Sequence, residues 1–128
     1  MKLFLPEPET QALRAFLAGP TRLVASEIVR VELLRALRRA HVREEITTEA
    51  NVYLATLRLL RLEPGILERA ARIAPADLRT LDAVHLATAL EFSRAPVTFL
   101  SYDQRLAAAA RAHGLAVVSP GVDEVHEA

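Results

Sequence analysis

The side chains of this 128-residue chain best suited to chemistry are acids. Only four aspartates occur, Asp77, Asp82, Asp103 and Asp123, and two of them fall where a helix should begin. Asp103 follows directly on the apolar stretch VTFLS, in SYDQRL. Asp82 lies in the first turn of TLDAVHLATAL, behind a hydroxyl and ahead of apolar residues at helical spacing. Glu32 is a third candidate, about a turn and a half into SEIVRVELLRALRR, flanked by apolar Val31, Leu33 and Leu34. Burying a carboxylate without a partner in such a segment is costly. Carboxylates gathered in one place repel one another and resist ionisation unless a cation sits among them. Oxygen ligands with no thiolate suit a hard divalent cation, Mg²⁺ or Mn²⁺. Such ions activate water and steady the oxyanions of phosphoryl transfer.

Each acid also has a purely structural reading. Asp103 is a good N-cap, and Asp82 is a first-turn acid favoured by the helix dipole. Glu32 can pair with Arg35 or Arg39 on its own helix. Taken singly, Asp82 and Asp103 are better read as structural; the combination of three acids near helix starts shifts the reading toward the metal.

The other reactive side chains are less promising. His85 is one turn from Asp82 but lies among Val84, Leu86 and Ala89, which suits a packed, hydrogen-bonded histidine. His41, His113 and His126 fall at helix ends or near the tail. No HxxxH spacing and no serine-centred nucleophile motif occurs, so a zinc peptidase and a serine hydrolase are not supported. The absence of cysteine excludes disulfides, thiolate metal sites and cysteine nucleophiles.

The acids must be carried by an alternation of short apolar strands and helices. A helix is expected at about Thr10–Ala18, ended by Gly19-Pro20, then a strand at 21–26. Ser26 should cap a helix over 27–40 with a basic last turn. Thr47 or Thr48 should cap the next, to about Leu57. LLRLEP, 59–64, reads as a strand stopped by Pro64-Gly65, and ILERAARIA as a helix closed by Pro75. Thr80 should cap a helix to about Phe92. VTFLS, 97–101, is the clearest strand; Gln104–His113 is an alanine-rich helix with Gly114 at its end, and LAVVS, 115–119, a last strand. Such alternation predicts a parallel sheet wrapped by helices. Right-handed crossovers then bring the helix N-termini to one edge of the sheet, where ligands bind.

The gross composition agrees with one domain. The length supports a single core. Net charge is zero, which argues against a generally basic surface and leaves room for a local patch. Lys2 is the only lysine among 16 basic residues, the rest being arginine, a residue suited to bidentate contacts with phosphate or carboxylate. A codon bias would give the same skew. No apolar run approaches the roughly 18 residues of a membrane span, and Pro6 interrupts the start too soon for a signal peptide, so a cytoplasmic location is the default.

SEIVRVELLRALRR, LRTLDAVHLATAL and TFLSYDQRLAAAARAHGLAVVSPG, in this order and spacing, resemble the PIN-domain family, and within it the VapC-type toxins of bacterial toxin–antitoxin pairs. The resemblance covers nearly the whole chain, and its second and third segments are the specific ones. It implies an α/β fold, a PIN-like parallel β-sheet flanked by α-helices, as a single domain over 1–128. It implies a Mg²⁺- or Mn²⁺-dependent endoribonuclease with Glu32, Asp82 and Asp103 as metal-binding and catalytic acids. RNA is then the substrate, a small cognate antitoxin the restraint, and a homodimer the usual assembly.

One departure matters. Family members begin with a strand ending in an aspartate, in a pattern like Asp-Thr-Ser, that runs on into a segment like KLFLPEPET. This chain begins with the second segment, so on this reading the first strand is truncated by about 5–6 residues and a turn. That strand is central in the fold, and its loss would leave backbone groups unpaired. No acid precedes Glu7, and Glu7 and Glu9 stand in the wrong context to replace the lost aspartate. Either the start codon is assigned too late or the protein is a shortened relative, and activity of the chain as given is expected to be impaired. The alternative is a catalytically inactive PIN-like domain that binds RNA or an antitoxin; a third reading is a DNA-directed nuclease using the same carboxylates.

Overall fold

The computed structural model describes residues 2–4, 6–19, 23–92 and 97–122. Thr21 and Arg22 of the expected first strand, and Asp123 and His126, lie outside the described residues. In chain order the elements are α1 (Thr10–Ala18), β1 (Val24–Ser26), α2 (Ile28–Arg39), α3 (Glu44–Thr56), β2 (Arg58–Leu60), α4 (Pro64–Arg72), α5 (Thr80–Glu91), β3 (Thr98–Leu100), α6 (Gln104–Ala112) and β4 (Ala116–Val118). The chain is therefore α/β, with short strands interleaved among the helices. The strands pair two by two, β1 with β2 and β3 with β4. The second pair is parallel, with Thr98, Phe99 and Leu100 opposite Ala116, Val117 and Val118. A parallel pair needs a crossover, and α6 supplies it.

Several boundaries differ from the sequence expectation for local reasons. Ser26 is a buried residue of β1, and Glu27 stands between it and α2. Thr80 is the first residue of α5, with Arg79 at the N-cap and no side-chain cap there. Helix α3 begins at Glu44, ahead of both threonines, with Glu44 and Glu45 in its first turn where the dipole favours acids. Pro64 opens α4 in place of ending a strand, since its fixed φ and missing N–H suit the first helical position. The C-terminus of α6 does follow the expectation. Gly114 takes φ 90°, its N–H donates to the Arg111 carbonyl at 2.9 Å, and the Leu115 N–H donates to the Ala110 carbonyl at 3.0 Å. This is a Schellman end.

Contacts divide the described chain into two compact units. One comprises the described residues up to Val24, Ile28–Arg58 and those from Ser119 on; the other comprises Ala25–Glu27 and Leu59–Val118. In the first, α2 packs on α3, and Leu37, Ala50 and Leu54 are buried. Phe4 meets the Tyr53 ring edge-on, 5.8 Å between centroids. The segment before α1 is tied down by Lys2, whose ammonium bonds Glu7 at 3.1 Å and Glu9 at 2.7 Å. The Thr10 hydroxyl donates to the Lys2 carbonyl at 2.7 Å and accepts from the Glu7 N–H at 2.9 Å.

In the second unit, α4 packs on α5, and α6 on α5, β3 and β4. Leu86, Leu90, Leu106, Ala109 and Ala110 form the core, with Ile73, Leu78, Phe99, Leu115 and Val117 against them. The alanines of α6 serve twice: they favour helix, and their small side chains let the helix lie close to its neighbours. Burying a leucine fully, as with Leu86, contributes about 1.5–3 kcal/mol. This core holds the N-termini of α5 and α6, which carry Asp82 and Asp103.

Candidate functional site

Asp103 is fixed by its own backbone. It takes the N-cap of α6 with extended φ −87° and ψ 119°. One carboxylate oxygen, Oδ1, accepts from the Arg105 N–H at 2.8 Å and the Leu106 N–H at 3.1 Å. The cap uses that oxygen alone, and Oδ2 takes no part in it. Ser101, buried just after β3, sets the turn: its N–H donates to the Val118 carbonyl at 3.1 Å, adding a rung beyond the end of β3. Its hydroxyl accepts from the Asp103 N–H at 3.1 Å. The pairing of β3 with β4 is thereby transmitted to the position of Asp103.

Asp82 is the third residue of α5 and half-buried. A first-turn acid there faces the positive end of the helix dipole. Asp82 and Asp103 line one small pocket of about 40 Å³ together with Asp77, Leu78, Arg79 and Arg105. A space of this size has room for an ion or a water. Three carboxylates face two guanidinium groups among the lining residues, a net charge of −1. Arg105 bonds the Asp77 carboxylate at 2.9 Å. Both partners are largely exposed, so the pair adds little stability and can exchange for another ion.

Sequence reasoning thus named two of the acids on this pocket and passed over Asp77 and Ser101. Asp77 carried a signal, being one of only four aspartates. Its arrival beside Asp82 depends on the turn from Ile73 to Arg79, which contains a cis Ala74–Pro75 bond. The third expected acid, Glu32, lies on α2 in the other compact unit, half-buried. Among the described residues, no group of three or more His, Cys, Asp or Glu side chains is gathered closely enough to hold a metal ion. Two carboxylates on one pocket, one with an oxygen outside its cap, fit a hard cation in donor type. His85 is half-buried between buried Val84 and Leu86. No helix among the described residues is long and apolar enough to cross a membrane.

Comparison with known proteins adds a family. Residues 1–112 match the model of the PIN domain. The chain is 38% identical over 120 residues to the protein named ribonuclease VapC46 of Mycobacterium tuberculosis strain H37Rv, covering 94% of this chain and 91% of that relative. It is 37% identical over 124 residues to ribonuclease VapC47 of strain CDC 1551, covering 94% and 90%. It is 42% identical over 125 residues to ribonuclease VapC35 of the same species, covering 94% and 91%. No solved structure matches the chain.

Proposed function

The chain belongs to the PIN-domain family, and on that premise we propose that it is a divalent-metal-dependent endoribonuclease, the toxin of a toxin–antitoxin pair. The observation that carries this reading is the meeting of Asp82 and Asp103 on one pocket, at the starts of two helices, in a chain whose relatives are named ribonucleases. The match over 1–112 runs across both compact units, which supports treating the chain as one PIN domain. Its partners on this reading are RNA, a small cognate antitoxin and a second copy of the chain, and the cytoplasm is where they meet.

Asp82 and Asp103, with Glu32, would hold Mg²⁺ or Mn²⁺. When bound, the ion supplies an activated water and charge for the developing oxyanion. The chain's own residues do the rest. The Asp103 cap fixes one carboxylate oxygen and with it the orientation of the other. Arg105 exchanges its exposed pair with Asp77 for a substrate phosphate, and Arg79 lines the same pocket to receive it. Reacting groups held at fixed separation need not be ordered during the reaction.

A second reading has an observation in its favour. The absence of a three-acid cluster among the described residues is what a domain that binds RNA or antitoxin without cutting would give. We therefore expect the chain as given to bind divalent metal weakly and cleave RNA poorly. Adding a strand ending in Asp-Thr-Ser should raise cleavage, and chelation should stop it. DNA offered in the same assay should stay intact. If the short form cleaves as fast as the extended one, the first aspartate is dispensable and this account of the metal site is wrong.

A further inference from the structure

A second and larger recess lies in the same compact unit, and its charge is opposite to that of the acidic pocket. It is an open basin of about 450 Å³ lined by Gly65, Arg69, Arg72, Ile73, Ala74 and His113. Gly65, Arg69 and Arg72 are spaced by four and three residues, so they form one stripe along α4. His113 closes the far side from the C-cap of α6, with its Nε2 2.8 Å from the Ala74 carbonyl. A carbonyl can only accept, so Nε2 carries the proton, and the ring is held against the turn. The lining residues include two guanidinium groups and no carboxylate.

The arginines have partners, but weak ones. Arg69 lies 3.4 Å from Glu91, and Arg72 3.1 Å from Glu68 one turn away. Arg72 and Glu68 are 74% and 68% exposed, and pairs this exposed contribute little. A phosphate with several acceptor oxygens competes well for both guanidinium groups.

The basin and the acidic pocket share two structural parts. The turn after α4 gives Ile73 and Ala74 to the basin and Asp77, Leu78 and Arg79 to the acidic pocket. Helix α6 presents Asp103 at its start to the pocket and His113 at its end to the basin. A helix of 9 residues is about 14 Å long at 1.5 Å per residue. The two recesses are therefore about one short helix apart, connected along α6 and the turn beside it.

We propose that this basin binds a backbone phosphate of single-stranded RNA a few nucleotides from the bond cut at Asp82 and Asp103. The proposal rests on the ribonuclease reading for its direction along the strand, but the phosphate contact itself is tested without cleavage. Phosphate contacts position a nucleic acid without reading its sequence. Arg69 and Arg72 are thus positioning residues, and they set how a strand lies across the acidic pocket.

The test is binding of fluorescein-labelled single-stranded RNA to the full chain with EDTA present, by anisotropy across a range of salt. The oligonucleotide is long enough to span both recesses. Arg69→Gln/Arg72→Gln should weaken binding of the long RNA and make log Kobs against log salt shallower by about 0.7, the value of one phosphate contact on a single strand. Gly65→Glu is a second variant: an added Cβ there meets nothing within 4 Å, and an acid in the first turn favours the helix. It should weaken binding of the long RNA while leaving thermal stability equal or higher, which a merely structural defect cannot do. Arg30→Gln/Arg38→Gln on α2 controls for lost charge. An unchanged salt slope in Arg69→Gln/Arg72→Gln, or an equal fall in the α2 control, overturns the proposal. Failure of the chain extended with a strand ending in Asp-Thr-Ser to cleave RNA in Mn²⁺, with the salt slope changed as stated, would sink the nuclease reading and leave the basin's phosphate contact standing.

Discussion

Asp103 has two tasks that a pair of substitutions separates. As an N-cap it satisfies two backbone N–H groups through Oδ1, and as a metal ligand it supplies charge. Asparagine caps about as well as aspartate, so Asp103→Asn should change stability little while removing cleavage. Asp103→Ala should lose cleavage and also about 1 kcal/mol of stability, read by urea denaturation. A loss of stability in the asparagine variant matching that of alanine would mean that the cap geometry is misread. Lys2 makes a different kind of prediction. Its bond to Glu9, opposed by desolvation and reinforced by Glu7, raises its pKa above the ordinary 10.5. The same bond lowers that of Glu9 below the ordinary 4.5. A raised lysine pKa stabilises below 10.5 and stops doing so as pH climbs through the folded value. A lowered glutamate pKa stabilises above 4.5 and stops as pH falls through the folded value. Lys2→Met should therefore be less stable than the parent at neutral pH. The gap should close below the folded pKa of Glu9 and above that of Lys2; a gap independent of pH would contradict the pairing. The role of Asp103 as a cap was legible in the sequence because a cap is local. The part played by Ser101 was not, because it depends on Val118 across a strand pair.

At the scale of elements, the ends of α2 and α6 form a natural comparison. After α2, His41 takes φ 52°, with its N–H on the Arg38 carbonyl at 3.2 Å and the Val42 N–H on the Leu37 carbonyl at 3.4 Å. This is the bonding pattern that Gly114 closes after α6, built with a residue that has a Cβ. Left-handed backbone costs an L-residue roughly 1–2 kcal/mol, and glycine escapes that cost. His41→Gly should therefore raise stability and Gly114→Ala lower it, each by about 1 kcal/mol, in matched denaturation curves. Stabilisation by Gly114→Ala would show that the turn relaxes out of its left-handed form. Helix positions were readable from apolar spacing, and α1 falls where the pattern put it. Starts were less readable. Thr80 and Ser26 are good caps in isolation, but the first is already inside α5 and the second is claimed by the buried strand β1. Pro64 fits either a strand stop or a helix opening, and only its surroundings choose between them.

For the whole molecule, the α/β alternation was legible because strand and helix periods differ, and the family was legible because its motifs are contiguous. Two of the expected acids, Asp82 and Asp103, could be placed together on topology alone, since both open helices packed in one core. Asp77 and the basin beside α4 could not, because the turn from Ile73 to Arg79 brings them into place through tertiary contacts. On our proposal this pocket is the catalytic centre of a metal-dependent ribonuclease. Its most direct test is RNA cleavage by the chain extended with a strand ending in Asp-Thr-Ser, in Mn²⁺ or with a chelator, beside the same protein carrying Asp82→Asn. The account predicts cleavage in Mn²⁺ that falls to background with the chelator and in the variant. Cleavage that survives Asp82→Asn, or survives removal of the metal, would contradict it.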